Sequence, residues 1–286
     1  MSDTSTDSNL LTEHLCVFLD ILGFSSLVEQ IETTGSDREF IRLHEAYRTG
    51  IKLLKESREY RATPEFQWEI RAFTDNIFLA FPISSHDAEV ELGFLVEDIS
   101  RFQLHLAVRG YVTRGGMALG RLFVDDAMIF GPALLEALRL EKMVARDPRI
   151  VLGAGISELV QQHVGYYHPP HTALQNCNFL RDVDGRLFVN YLESAIHETA
   201  AGLQLDLNSI EAHRETIENG LREHVGRPQV WSKFRWLSAY HNWFLESAME
   251  HGYTNEANFV HKGLASAYPR RIHRSPNDPE TEQYED

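Results

Sequence analysis

Two aspartates carry the first chemical signal in this chain. Asp20 closes the apolar run LCVFLD, and Asp75 lies in FTDN between two further apolar runs. Carboxylates at the ends of neighbouring strands reach one edge of a sheet. Two that converge hold hard divalent cations, the usual means of activating an attacking oxygen and neutralising a triphosphate during in-line phosphoryl chemistry. Behind Asp20 the chain continues ILGFSS, a strand passing through Gly23 and Phe24 into a helix start capped by Ser25, where free backbone N–H groups form an anion cradle. Arg71 and Phe73 share a strand face with Asp75, so Arg71 stands about 13 Å from it at roughly 3.4 Å per residue, the span of a nucleotide from phosphates to base. Arg71 is also placed to pair with Glu69. Arg114, beside Gly115-Gly116, and Arg139 are the other candidate cations for a triphosphate. Their plainer readings are a strand-edge charge and an Arg139–Glu136 pair one helical turn apart. Tyr47 is either a core aromatic or a ring set against a substrate base. GGMALG lacks the GK[ST] that would complete a P-loop and is expected to form a turn.

Positioning these residues requires a particular run of elements. After an irregular tail over 1–12, LCVFLDI alternates faces as a strand, with Cys16, Phe18 and Asp20 pointing one way and Leu15, Val17, Leu19 and Ile21 the other. A helix follows from about Ser25, and a longer one spans Asp37 to about Tyr60, with Phe40, Leu43, Tyr47, Ile51 and Leu54 at spacings of three and four. FQWEIRAFTDNIFLAFP is a hairpin turning at Thr74-Asp75-Asn76. Residues 86–105 form an amphipathic helix, and LAVRGYVTRGGMALGRLFV gives further strands. Pro132 opens another helix, which stops before Pro148; RIVLG, ISELVQQH and DVDGRLFVNYL then complete an α+β domain over 13–195. Residues 205–265 have helical spacing only and include the aromatic-rich VWSKFRWLSAYHNWFL. The Pro-rich, charged stretch 268–286 is expected to be disordered. The C-terminal helices either extend a subunit interface or pack back on the sheet domain.

Composition limits the partners. With 286 residues, 43% hydrophobic and 24% charged, the chain can bury a sizeable core, and about 150 residues per domain allows roughly two units. The balance of 27 Lys+Arg against 42 Asp+Glu, a net charge of −15, argues against nucleic acid as a partner because duplex binding needs a basic face. No apolar run approaches the roughly 18 residues of a membrane span, and the polar N-terminus is unlike a signal peptide, so a cytoplasmic protein with no membrane partner is expected. Cys16 and Cys177 cannot form a disulfide framework; Cys16 fits a buried small hydrophobe. His168, His171 and Cys177 in HPPHTALQNC lack zinc-type spacing and fit a Pro turn.

FLDILGFSSL and FTDNIFLAFP resemble the two metal-binding segments of class III nucleotide cyclases, and IFGPALLEALRLEKMVARDPRIVL resembles their later helix and strand, so the likeness covers about residues 14–155. The FGPALLEA helix with DPRIVL is similar in particular to the pyrimidine (uridylate or cytidylate) cyclases of bacterial Pycsar anti-phage defence. The resemblance implies a ferredoxin-like βαββαβ core with a C-terminal helical extension. It implies that Asp20, the Ile21 backbone carbonyl and Asp75 bind two Mn²⁺ or Mg²⁺ ions, and that Arg71 occupies the base-reading position. Tyr47 then lines the base pocket, and Arg139 matches a transition-state Arg supplied by the partner chain of a homodimer. The second base-reading position falls on Met128 and the family's transition-state Asn on Leu135, neither able to do the polar job. The implied reaction turns a pyrimidine nucleoside triphosphate into its cyclic monophosphate, which activates a separate nucleotide-sensing effector. UTP is favoured over CTP; adenylate or guanylate cyclisation and a catalytically silent nucleotide-binding module are the alternatives.

Overall fold

The computed structural model describes residues 10–60, 68–85, 87–200, 202–250 and 270–271. The expected tails therefore lie largely outside the described residues, as does the expected helical stretch beyond residue 250.

Strand β1 (Thr12–Ile21) leads through helices α1 (Phe24–Thr34) and α2 (Arg38–Tyr60) into the hairpin β2 (Glu69–Phe73) and β3 (Asn76–Pro82). Helix α3 (Glu89–Ala107) then returns the chain to β4 (Thr113–Val124). These strands lie side by side in the order β4-β1-β3-β2, every neighbour antiparallel. That is the βαββαβ arrangement of a ferredoxin-like core, an α+β fold. The parity expected for β1 holds: Leu15, Val17, Leu19 and Ile21 pack into the main core with Phe102, Ile99 and Leu95 of α3, while Cys16 joins Phe78, Ala80 and Ala118 on the opposite face. Burial pushes the Cys16 thiol up to about 12, so it is a neutral, inert core group.

The rest of the chain widens this sheet. A short β5 (Ile129–Phe130) folds back on β4, and α4 (Pro132–Arg139), extended by a π turn over Leu140–Val144, covers the Cys16 face with Ala133 and Ala137. Next come β6 (Ile150–Leu152), parallel to β4, helices α5 (Ala154–Gly165) and α6 (Leu174–Asn178), and the pair β7 (Phe179–Arg181) and β8 (Leu187–Val189). A separate hairpin, β9 (Ile196–Thr199) and β10 (Gly202–Leu205), leads to helices α7 (Leu207–Glu223) and α8 (Pro228–Glu250). Asp206 caps α7, its carboxylate accepting from the N–H groups of Asn208 and Ser209. Arg270–Arg271 forms a last strand, β11, against β7, inside the stretch expected to be disordered.

GGMALG is not a turn. Gly115 to Gly120 lie within β4, and the glycines serve close packing instead. A Cβ on Gly115 would fall 2.5 Å from the Phe18 carbonyl oxygen, and one on Gly116 only 2.4 Å from that of Ala137. Hydrogen in place of a side chain lets β1 lie close beside Gly115 and α4 close over Gly116.

The C-terminal helices pack on the chain's own sheet domain. Tyr240, Trp243, Phe244 and Leu237 of α8 and Ile210 and Ile217 of α7 form one apolar cluster with Leu180 and Phe188 of the sheet and Leu104 of α3. Within it runs a buried polar chain: the Tyr191 hydroxyl lies 2.7 Å from His213 Nε2, and His213 Nδ1 lies 2.9 Å from His241 Nδ1. Burial, reinforced by the charge of His241, holds His213 well below the ordinary histidine value. An unfolded histidine takes up a proton near pH 6.5, whereas His213 in the folded state resists it. Unfolding therefore binds a proton, and stability falls as pH drops below about 6.5, by up to about 1.4 kcal/mol per pH unit for this group. Thermal melts at pH 7 and pH 5 are expected to differ more for the wild-type chain than for His213→Gln.

Candidate active site

Asp20, the penultimate residue of β1, is flanked by Asn76 on β3 and Arg114 on β4. The β2–β3 hairpin closes in two residues, Thr74 and Asp75, with Thr74 in the left-handed region at φ +54°. Its tip is tied to β1: the Ile21 N–H donates to the Asp75 carbonyl oxygen at 3.1 Å. Asp75 Oδ1 accepts from the Thr74 hydroxyl at 2.8 Å and the Asn76 amide at 2.9 Å. The two acids expected to meet from distant parts of the chain thus lie on adjoining strand ends. Their electrostatics agree. Burial raises the Asp20 carboxyl above the usual carboxylate value, Arg114 opposes that rise, and the negative charge of Asp75 adds to it.

Arg114 stands between two acids. Its Nε donates to Asp20 Oδ2 at 3.0 Å and its Nη2 pairs with Glu141 Oε1 at 2.7 Å. Glu141 is nearly buried, and burial raises its carboxyl too, with Arg114 lowering it and the charges of Asp20 and Asp75 adding to the rise. Sequence reading missed Glu141. Its signal was helical phase: it lies two residues past Arg139 and so points away from Arg139's exposed face, and the π turn holds it against the start of β4. Asp20, Asp75 and Glu141 gather around Arg114 at this strand edge, a carboxylate-rich setting that suits a cation. Among the described residues no group of three acidic, histidine or cysteine side chains surrounds a common ion position. The donors this edge offers are two hard carboxylates, those of Asp20 and Asp75. Such a set suits Mg²⁺ or Mn²⁺ when substrate phosphates and water complete the shell.

The turn after Asp20 leaves helix N–H groups without a side-chain cap, and Ser25 does not fill that position as expected. Helix α1 begins at Phe24 with Gly23 as its N-cap at φ +88°, a conformation that favours glycine, and no side chain caps it. Ser25 is therefore an exposed first-turn residue and not the cap. The first intrahelical bond runs from the Leu27 N–H to the Gly23 carbonyl oxygen, so the N–H groups of the preceding turn point outward, three residues from Asp20. Phe24 packs against the main core and anchors this turn.

The other predicted residues lie at graded distances from this centre. The Tyr47 hydroxyl donates to the Asn76 carbonyl oxygen at 3.4 Å, and burial with the nearby Asp75 charge pushes it up to about 12. Tyr47 thus braces the Asp75 hairpin from α2 as a neutral phenol. Arg71 Nη2 donates to the Asp125 carbonyl oxygen at 2.8 Å, with Glu69 at 3.7 Å, which places it between β2 and the loop before β5. Met128, in that loop, is half exposed. Arg139 is not brought to the aspartates: it is exposed on α4 and makes a two-pronged bond to Glu136, both arms 2.7 Å.

Comparison with known proteins adds a partial likeness. No protein-family model and no curated protein matches the chain. Several solved structures overlap it, two cyclases among them. The guanylyl cyclase Cya2 is 13% identical over 52% of this chain and 78% of its own, with a TM-score of 0.35. A bacterial light-regulated adenylyl cyclase is 17% identical over 63% of this chain and 52% of its own, with a TM-score of 0.39. At that identity and overlap the likeness assigns this chain neither substrate nor activity. Among the described residues no helix is long and apolar enough to cross a membrane.

Proposed function

We propose that the protein is a nucleotide cyclase that converts UTP to 3′,5′-cyclic UMP and pyrophosphate. The observation that carries this reading is the meeting of Asp20 and Asp75 at one strand edge, beside Arg114 and the outward N–H groups of the Gly23–Ser25 turn.

The 3′-oxygen of the ribose attacks the α-phosphorus in line; the new 3′-O–P bond forms as the bond to the β-phosphate breaks, pyrophosphate departs and the hydroxyl proton passes to water. Two divalent ions held by Asp20, Asp75 and the Ile21 carbonyl would lower the pKa of the attacking hydroxyl and neutralise the triphosphate. Arg114 holds the Asp20 carboxylate in place and supplies a donor for charge developing on the phosphate oxygens. The uncapped start of α1 receives the departing phosphates. Arg71, on the Phe78 face of the hairpin, offers guanidinium donors to a pyrimidine edge, while Tyr47 holds the Asp75 tip from the opposite face. Arg139 acts across a homodimer, and its exposure beside the exposed apolar Leu135 and Phe130 suits that role. The FGPALLEA resemblance supports a place in anti-phage signalling, with cyclic UMP read by a separate effector.

Incubating the purified protein with each of the four NTPs and Mn²⁺, and resolving cyclic products, tests the reading. Cyclic UMP is the expected product, lost when the divalent ion is chelated. Cyclic CMP would move the specificity to cytidine, a purine product would overturn the pyrimidine assignment, and no product from any NTP would leave a nucleotide-binding module.

A further inference from the structure

The C-terminal helix α8 docks beside β6 and β8. Trp236 Nε1 donates to Asp182 Oδ2 at 2.7 Å, and its ring stands edge-on to Phe188 at 5.4 Å. Arg149, paired with Asp182, lies 5.9 Å over the same Trp236 ring, and its carbonyl oxygen accepts the Gly115 N–H, next to Arg114. At the other end of this contact Leu22, which opens the Gly23–Ser25 turn, packs against the apolar cluster that also receives Val230, Trp231 and Trp236. The segment 230–236 of α8 thus docks beside Arg149, whose carbonyl bonds to β4 next to Arg114, and shares an apolar cluster with Leu22 at the turn after β1.

Lys233 is one of two cations in that segment, one turn before Trp236 and half-buried at the margin of the docked face. Arg235, two residues on, is exposed and lies over Trp231. We propose that Lys233 is a phosphate-binding residue of this site, carried in by the C-terminal helix to meet the polyphosphate held at the Gly23–Ser25 turn. The electrostatics are consistent with that placement. Burial, and then the charge of Arg114, lowers Lys233 from the ordinary lysine value, while Asp20 and Asp147 oppose the fall. A polyphosphate between Lys233, Arg114 and the α1 amides would receive cations from two sides. The C-terminal extension is then part of the catalytic apparatus as well as a cover for the sheet.

This inference rests on the nucleotide-cyclase reading for its substrate but is tested separately from it. The probe is inorganic tripolyphosphate, titrated calorimetrically into the full chain with Mg²⁺, beside NTP kinetics on the same proteins. Lys233→Ala is expected to weaken tripolyphosphate binding about tenfold and to raise the KM for the NTP by a similar factor, more than it lowers kcat. Lys233→Arg restores most of both, which a purely structural role for the side chain would not predict. Equal tripolyphosphate affinity in the wild-type chain and Lys233→Ala, at matched melting temperatures, overturns the inference. If Lys233→Ala lowers the melting temperature, Lys233→Met, which keeps the stem and drops the charge, replaces it under the same criterion. Tripolyphosphate binding that depends on Lys233, in a protein that cyclises no NTP, would sink the cyclase reading alone. No tripolyphosphate binding by the wild-type chain would overturn the role of Lys233.

Discussion

Asp75→Ala is expected to lower metal-dependent NTP turnover by about 10³-fold, a loss of about 4 kcal/mol in transition-state stabilisation, with the fold unchanged. The side chain is half-exposed on a two-residue turn, and the bond that ties this turn to β1 uses the Asp75 carbonyl oxygen, which alanine retains. The structural loss is confined to the bonds from the Thr74 hydroxyl and the Asn76 amide, a partly exposed pair worth about 1 kcal/mol. One of the two hard donors disappears, so neither activation of the attacking hydroxyl nor neutralisation of the phosphates survives in full. A second readout follows from the coupling of the two acids. Asp75 helps to hold the Asp20 carboxyl above its usual value, so Asp75→Asn should let Asp20 fall back toward it. A carboxyl NMR titration reads that shift without reference to turnover. Pyrophosphate release within tenfold of the wild-type rate, at an unchanged melting temperature, would remove Asp75 from the catalytic apparatus and with it the two-carboxylate reading.

Much of this site was legible because strand chemistry is local. The alternation in LCVFLD placed Asp20 opposite the core-facing Leu19 and Ile21, and TDN between two apolar runs could hardly be anything but a hairpin tip, so the meeting of Asp20 and Asp75 followed once the strands were neighbours. What was misread depended on approach between distant elements. GGMALG looks like a turn until β1 lies close beside it and α4 close over it, leaving room only for hydrogen at Gly115 and Gly116. Ser25 looks like a cap because Ser usually is one, yet the sharp exit from β1 needs a positive φ one residue before the helix, and Gly23 takes the cap position. Glu141 and Lys233 were invisible for the same reason. Each belongs to a helix whose sequence gives its own periodicity, but not the strand end against which that helix docks.

Arg149→Ala should test that docking, with an expected loss of about 3–5 kcal/mol of stability, the usual effect of removing one partner from a buried ion pair. Arg149 and Asp182 are each about 95% buried or more. Asp182 keeps the Trp236 indole and the Val183 N–H as donors, but without the guanidinium its charge has no buried counterion, and Asp184 loses both of its bonds to Arg149. The main-chain bond from Gly115 to residue 149 persists, so β4 and β6 should stay paired while the α8 contact loosens. Urea unfolding at constant slope measures the stability loss. The consequence for function is specific. Lys233 sits one turn from Trp236, so a loosened α8 should weaken tripolyphosphate binding much as Lys233→Ala does. The Arg149→Ala, Lys233→Ala double variant should then lose little more affinity than either single one, because both changes remove the same contact. Fully additive losses in affinity would mean that Arg149 does not position Lys233. A stability loss below about 1 kcal/mol, in the range of an exposed pair, would mean that the buried network around Asp182 does not hold the C-terminal helix in place.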